Sequence, residues 1–167
     1  MEFSIRPVRE GDARAIVELL NPLIQAGTYT IMDELLSERA QLDFIRGFPG
    51  RGVFNIAVCN DSHEVLGIQD VQPISAHTRV WEHVGEVSTF VSLARQRHGV
   101  GSRLSHATFQ EARQRGFLKL RATIRADNPR AMAFYESQGF KVVGTAIMNA
   151  FVGGRYIDEI VAERLLD

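Results

Sequence analysis

The chain has 167 residues, of which 45% are hydrophobic and 23% are charged, a composition that excludes disordered, collagen-like and coiled-coil proteins. Its 19 Lys and Arg residues nearly balance its 20 Asp and Glu residues, giving a formal net charge of -1, so no overall field favours nucleic acid or a membrane surface as a partner. We therefore predict one domain spanning residues 1–167.

The first half of the sequence predicts five structural elements. Apolar residues recur at helical spacing in two stretches and form strand-like runs in three others. The predicted elements are a strand at residues 3–8, a helix between Asp12 and Gly27, a helix between Ser37 and Pro49, and strands at Val53–Cys59 and Val65–Val71. Asp12 is the candidate N-cap of the first helix because its carboxylate can accept hydrogen bonds from free backbone N–H groups.

The second half predicts six further elements. These are strands at Val84–Leu93, Leu118–Arg125, Phe140–Ala150 and Arg155–Leu165, and helices from about Gly101 to Arg115 and from Asn128 to Gly139. The last helix is the best marked, since Asn128 can cap it, Pro129 suits its first turn and Gly139 follows its end. The resulting order, β-α-α-β-β-β-α-β-α-β-β, predicts an α/β fold of the α+β type, with a mixed sheet and helices on both faces.

The cysteine content and the N-terminal sequence bear on location. The one cysteine, Cys59, cannot form an internal disulfide, and no cationic stretch followed by an apolar run opens the sequence. No apolar run approaches the roughly 18 residues that a membrane-spanning helix needs. We expect a cytoplasmic protein with no membrane partner.

The segment Gln96–Leu104 lies between a predicted strand and a predicted helix and contains Gly99 and Gly101. Glycines at this spacing let several N–H groups point into one concavity at the positive end of the following helix, an arrangement that binds phosphate oxygens. The surrounding residues 95–130 carry a charge of +7, against -8 for the remainder. The segment lacks the third glycine of a dinucleotide-binding fingerprint, because Leu104 stands there, and it lacks the Gly-Lys-Ser/Thr of a P-loop.

Two sequence blocks resemble those of the GNAT N-acetyltransferase superfamily. Gln96-x-x-Gly99-x-Gly101 is similar to its pyrophosphate loop, and the block from Asn128 to Phe140 is similar to its Asn-x-x-Ala-x-x-x-Tyr-x-x-x-Gly-Phe motif. The predicted element order is also the one that this superfamily uses. The resemblance covers nearly the whole chain and implies the GNAT-like acyl-CoA N-acyltransferase fold.

Within the superfamily the chain most resembles phosphinothricin-type acetyltransferases. Asn21, the glutamate 13 residues before Gly99 (Glu86) and the segment Gly154–Asp158 match their pattern. The chain departs from that pattern after the first helix, where it has Tyr29-Thr30-Ile31-Met32, and in the third strand, where it has Gly67-Ile68-Gln69. These departures bear on the identity of the acceptor.

The resemblance implies an enzyme that moves the acetyl group of acetyl-CoA to the primary amine of a small, amino-acid-like acceptor by direct attack in a ternary complex. An alkyl ammonium has a pKa of about 10, so a group must accept its proton at neutral pH. Glu86 is the candidate base, acting directly or through water. Tyr135 is the candidate acid that protonates the departing thiolate.

The resemblance also assigns the binding residues. Acetyl-CoA binding falls to Thr89, Phe90, Val91, Gln96, Arg97, His98, Gly99, Val100, Gly101, Ser102 and Asn128. Arg97, Arg103 and Arg130 meet either the 3'-phosphate or solvent. Arg79 and Trp81, seven and five residues before Glu86, are the candidate acceptor-binding residues. The histidines show no metal-site spacing, so no metal is expected.

Two alternative functions stay open on the sequence. The first is a non-catalytic acyl-CoA-binding sensor or scaffold module, and the second is an acetyltransferase that modifies a protein N-terminus or a lysine. The expected partner is a small-molecule amine and not nucleic acid. Dimers are common in the resembled family, so a homodimer is compatible with the sequence.

Overall fold

The fold was analysed in a computed structural model that describes residues 2–167. Its elements are β1 (Phe3–Pro7), α1 (Ala13–Ala26), α2 (Glu38–Arg46), β2 (Val53–Cys59), β3 (Val65–Pro73), β4 (Val84–Val91), α3 (Val100–Gln114), β5 (Lys119–Arg125), α4 (Pro129–Ser137), β6 (Lys141–Val152) and β7 (Arg155–Leu165). Short 3₁₀ turns at Glu10–Asp12 and Leu93–Arg95 precede α1 and α3. The predicted order of strands and helices is confirmed.

The seven strands form one mixed sheet in the order β1-β2-β3-β4-β5-β7-β6. Every neighbouring pair is antiparallel except β4 and β5, which run parallel. These two strands pair only over three positions, from Val84 opposite Lys119 to Glu86 opposite Arg121. Beyond them the ladder ends, so the rest of β4 presents unpaired main-chain groups to the gap beside β5.

Helices cover both faces of the sheet, as predicted. On one face, α1 packs Ile16 and Leu20 against Phe54, Ile56 and Ile68 of β2 and β3. On the other face, α3 packs on β2 and β3. Because β2 is covered on both sides, all its residues are buried, which explains why its sequence is apolar except at Asn55.

A close approach fixes the start of α3 on the sheet. A Cβ added to Gly67 of β3 would lie 2.9 Å from Val100 Cγ1 and 3.1 Å from the carbonyl oxygen of Phe90. The glycine therefore lets the first turn of α3 sit directly on β3, beside the C-terminal half of β4.

The helix caps agree with the sequence predictions except at α1. The Asn128 Oδ1 atom accepts a hydrogen bond from the Ala131 N–H at 3.1 Å, which confirms the predicted cap of α4. Asp12 occupies the predicted N-cap of α1, but its side chain makes no cap hydrogen bond. Instead the carboxylate accepts two hydrogen bonds from the Arg6 guanidinium, at 2.7 and 2.8 Å, and one from the Arg9 backbone N–H at 2.7 Å; the bidentate ion pair with Arg6 fixes its orientation.

Within residues 2–167, no helix has both the length and the apolar character needed to cross a membrane.

Candidate active site

The predicted phosphate-binding loop forms the entrance to α3. Gly99 adopts a left-handed conformation with φ of 76°, and the helix begins at the next residue, Val100. The first N–H groups of a helix have no intrahelical partner, so those of Val100, Gly101 and Ser102 are available to an anion at the positive end of α3. The loop backbone is held further by the His98 ring, whose Nδ1 lies 2.8 Å from the carbonyl oxygen of Gln96.

A first cleft of about 580 Å³ lies between this loop, β4 and α4. Its lining includes Thr89, Phe90 and Val91, the predicted loop residues except His98, and Asn128. Gly101 allows α4 to approach, since a Cβ there would lie 2.8 Å from the Phe134 ring. The structure therefore brings the loop, the β4 edge and Asn128 together around one cleft.

A second cleft, of about 350 Å³, lies over the other side of the gap between β4 and β5. It is lined by the segment 29–31 before α2, by residues 86–90 of β4, by residues 123–125 of β5 and by Glu159 of β7. Thr89, Phe90, Asn128 and Tyr135 line both clefts. The two clefts thus meet where the strands separate.

Tyr135 stands at this junction. Its side chain is buried, and its ring packs edge-to-face on Phe134 and Phe140, with both centroids 5.1 Å away. The hydroxyl group donates a hydrogen bond to Thr89 Oγ1 at 3.0 Å. Burial raises the pKa of the phenol above its ordinary value, so this hydroxyl keeps its proton throughout the physiological pH range.

Gln69 holds Thr89 in place. Its Nε2 atom donates to Thr89 Oγ1 at 2.9 Å and to Ser105 Oγ of α3 at 3.0 Å. Gln69 is fully buried, so its hydrogen bond fixes the Thr89 hydroxyl, which is the partner of the Tyr135 hydroxyl. The sequence analysis noted Gln69 only as part of a departure from the family pattern and assigned it no role, because that role depends on the pairing of Gln69 with Thr89 across β3 and β4.

Glu86 lines the second cleft from β4. Its carboxylate accepts hydrogen bonds from Arg121 Nε and from Thr123 Oγ1, both at 2.7 Å. Both partners lie on β5, where Arg121 is the register partner of Glu86. The alternation of β5 places Arg121 and Thr123 on the same face of the strand. The sequence does not show that β5 pairs with β4 in parallel, which is what brings Arg121 to Glu86.

A second carboxyl group, Asp70, lies buried on β3 in register with Ser88 of β4. Burial raises the pKa of Asp70 to about 6, against a smaller opposing effect from a hydrogen bond donated by Gln72. The Gln72 Nε2 atom lies 3.0 Å from Asp70 Oδ1. An acidic residue within the mostly apolar strand Val65–Val71 was a signal of a buried carboxyl group, and the sequence analysis missed it.

Arg125 ties the segment before α2 to the sheet. Its guanidinium is buried, donates two hydrogen bonds of 2.8 Å to Asp127 and donates a third, of 2.7 Å, to the carbonyl oxygen of Thr30. Arg125 in turn lowers the pKa of the Asp127 carboxyl through its hydrogen bond. Because Tyr29, Thr30 and Ile31 line the second cleft, this anchor sets the position of that wall.

Besides His98 of the loop, three predicted binding residues line neither cleft. Arg79 donates to Glu82 at 3.0 Å with a side chain 90% exposed, and neither Arg79 nor Trp81 lines either cleft. Arg103 donates to the Phe3 carbonyl oxygen at 2.8 Å and stacks over the Phe3 ring, so it is committed elsewhere. Arg97 and Arg130 do line the first cleft.

In the part of the chain that the structure describes, no three His, Cys, Asp or Glu side chains are grouped to hold a metal ion.

Comparison with known families gives a match over most of the chain. The model of the acetyltransferase (GNAT) domain matches residues 5–161. No curated protein sequence matches the chain significantly.

Solved structures share the fold at low sequence identity. An N-acetyltransferase from Staphylococcus aureus Mu50 superimposes with a TM-score of 0.91 at 20% identity over 100% of both chains. A phosphinothricin acetyltransferase from Sinorhizobium meliloti, in complex with acetyl-CoA, gives 0.89 at 21% identity over 99% of this chain and 89% of that one. A ribosomal-protein-alanine N-acetyltransferase from Brucella melitensis gives a TM-score of 0.87 at 23% identity, over 98% of this chain and 99% of that one.

Proposed function

This chain belongs to the GNAT acetyltransferase family, and from that premise we propose that it uses acetyl-CoA to acetylate the amino nitrogen of a small molecule by direct attack in a ternary complex. The observation that carries the proposal is the meeting of two clefts at Thr89 and Tyr135. One cleft offers an anion-binding loop and the other offers a polar, partly acidic wall. Donor and acceptor would approach each other through the gap in the sheet.

The first cleft suits acetyl-CoA. The free N–H groups at the start of α3 would bind its diphosphate, and Arg97 and Arg130 line the same cleft. The amide-containing arm of the donor can pair with the main chain of Thr89 to Val91 in the manner of an added strand. The structure of the Sinorhizobium relative contains acetyl-CoA, which supports this assignment.

Tyr135 is the proposed acid. The amine nitrogen forms the new C–N bond, the C–S bond breaks, and the departing thiolate takes the proton of the Tyr135 hydroxyl. A thiol has a pKa of about 8.5 and a free phenol one of about 10, so the transfer requires direct contact between the two groups. Burial keeps Tyr135 protonated until that contact forms.

Glu86 is the proposed proton acceptor for the attacking amine, directly or through water. Arg121 and Thr123 orient its carboxylate from β5, which leaves its remaining lone pairs for the acceptor. An acceptor that enters as an ammonium loses two protons. Glu86 takes the first before attack and passes it to solvent, and the second, released from the nitrogen as the amide forms, replaces the proton that Tyr135 gives to the thiolate.

The size of the second cleft favours a small acceptor over a protein chain. Segment 29–31 forms one of its walls and is fastened to β5 by Arg125. The homodimer and the cytoplasmic location expected from the sequence stay predictions. Exposed apolar side chains at Ile147 and Phe151 of β6 support the homodimer.

The direct test is release of free thiol from acetyl-CoA in the presence of single amines, including phosphinothricin and other amino acids, with acetylated product identified by mass spectrometry. We expect amine-dependent thiol release together with acetyl-CoA binding. Binding without thiol release for any amine would instead support the non-catalytic sensor, and release only with peptides would support protein acetylation.

A further inference from the structure

The charged residues of the second cleft differ in how far their hydrogen-bonding capacity is used. Three charged side chains line it: Glu86, Arg125 and Glu159. Glu86 is paired with Arg121, and Arg125 is paired with Asp127. The third charge, Glu159, has no ion-pair partner within 4.0 Å among residues 2–167, although it lies close enough to Arg125 for the two charges to interact.

Glu159 lies on β7 and is only 4% exposed. Its Oε2 atom accepts one hydrogen bond, of 2.5 Å, from the Asn149 side-chain amide, and no cation of residues 2–167 forms an ion pair with it within 4.0 Å. An ionised carboxylate offers about four acceptor sites, and buried carboxylates are normally paired. The cleft therefore contains a carboxylate with most of its acceptor capacity unused.

The neighbouring cation, Arg125, interacts with this carboxylate through its charge but donates no hydrogen bond to it. Arg125 faces Glu159 in the β5–β7 register, but its Nε and Nη2 atoms donate to Asp127 and its Nη1 atom donates to Thr30. It is also the one cation among the described residues that line this cleft. A carboxylate on the acceptor would thus find no uncommitted cation there, whereas an ammonium group would find Glu159.

We propose that Glu159 binds a second cationic nitrogen of the acceptor, so that the preferred substrate is a small diamine or another dibasic amine. This inference rests on the proposed function, because it places the reacting nitrogen at the Tyr135 end of the cleft and the second nitrogen at Glu159. Glu86 and Glu159 are in register with positions of β5 four residues apart, about 13 Å along the strand, and they lie on the two strands that flank β5, about 10 Å apart across the sheet. Both side chains line the cleft, so each shortens the span that the carbon chain of a diamine has to bridge.

The test compares acceptors that differ only at the far end. Butylamine, butanediamine and aminobutanoate end in a methyl, an ammonium and a carboxylate group, and the pentyl and hexyl analogues extend the series. We expect kcat/KM to be highest for the diamine, by about 10- to 100-fold over the monoamine, as for a hydrogen bond to a charged group. Glu159→Gln should bring that ratio close to one, and Glu159→Asp should restore it for a longer diamine.

The matched control is Glu163→Gln. Glu163 lies on the same strand and pairs with Lys119 at 2.9 Å, outside the cleft, so this variant should keep the preference for the diamine. An equal ratio in Glu159→Gln and the parent, or a preference for aminobutanoate, overturns the inference.

Binding measurements separate this inference from the proposed function. If no amine releases thiol, the proposed function fails, and calorimetric titration of butanediamine in the presence of coenzyme A decides the inference alone. Tight binding that Glu159→Gln weakens supports it, whereas binding that the variant leaves unchanged, or no binding, overturns it. Acetyl-CoA affinity and thermal midpoint report whether the variant is folded.

Discussion

Replacement of Tyr135 by phenylalanine tests the proposed chemistry most directly. The ring packing on Phe134 and Phe140 stays, and the Thr89 hydroxyl keeps its hydrogen bond from Gln69 at 2.9 Å. Only one buried hydrogen bond, of 3.0 Å, is lost, which costs about 1 kcal/mol of stability. The variant should therefore fold and bind acetyl-CoA nearly as the parent does.

The effect on turnover should be much larger. Tyr135 is 7% exposed, so bulk water does not readily take over as proton donor. Loss of a positioned acid typically lowers kcat by about 10²- to 10³-fold, equivalent to about 3 to 4 kcal/mol of transition-state free energy. Because the pKa of Tyr135 is raised, the parent should also keep its rate up to about pH 10, where an ordinary tyrosine loses its proton.

The assay is steady-state thiol release with the best amine, combined with calorimetric titration of acetyl-CoA. Tyr156→Phe is the matched control, since Tyr156 is 62% exposed and lines neither cleft, and it should match the parent. Turnover of Tyr135→Phe at the parental rate would refute the assignment. A parallel loss of acetyl-CoA affinity would indicate that the hydroxyl acts in binding instead.

Three further substitutions test other parts of the site. Glu86→Gln should lower kcat by about 10²-fold or more at pH 7 and recover part of the rate at higher pH, where the uncharged amine is more abundant; a parental rate at pH 7 contradicts its role. Gly67→Ala should destabilise the protein by about 1 to 3 kcal/mol in denaturant titration, because its Cβ would crowd Val100. Gly144→Ala, where a Cβ meets nothing within 4 Å, is its control, and equal stabilities would refute the crowding. Asp70→Asn should become more stable relative to the parent between about pH 4 and pH 7. In the parent the unfolded chain ionises near 3.8 but the folded one only at about 6, so ionisation favours unfolding as pH rises, by about 3 kcal/mol in total. A pH-independent difference contradicts that explanation.

Local signals in the sequence were sufficient to predict the element order and the local structure of the two motifs that contain Gly99 and Asn128. Gly99 and Asn128 act within their own turns, through a left-handed backbone and a helix cap, so their roles follow from adjacent residues. The motif that contains Tyr135 likewise lies on one short helix. Such features need no knowledge of which strands are neighbours.

The remaining site residues depend on contacts between distant segments. Gln69 reaches Thr89 across an antiparallel pair, and Arg121 reaches Glu86 across a parallel one. Glu159 enters the cleft only because β7 inserts between β5 and β6. Arg79 is the opposite case. The family resemblance implied a place at the acceptor site, but the turn before β4 leaves its side chain in solvent, paired with Glu82.

The short parallel contact between β4 and β5 connects the fold to the proposed reaction. If the two strands paired along their full length, the main chain of Thr89 to Val91 would be satisfied within the sheet and no donor arm could bind there. Their separation after Glu86 leaves a gap in the sheet, with the start of α3 lining the cleft on one side and Glu86, Arg125 and Glu159 lining the cleft on the other. An acyl donor held by the loop of α3 can then meet an amine from the opposite face, and Tyr135, which lines both clefts, is in position to serve the leaving thiolate.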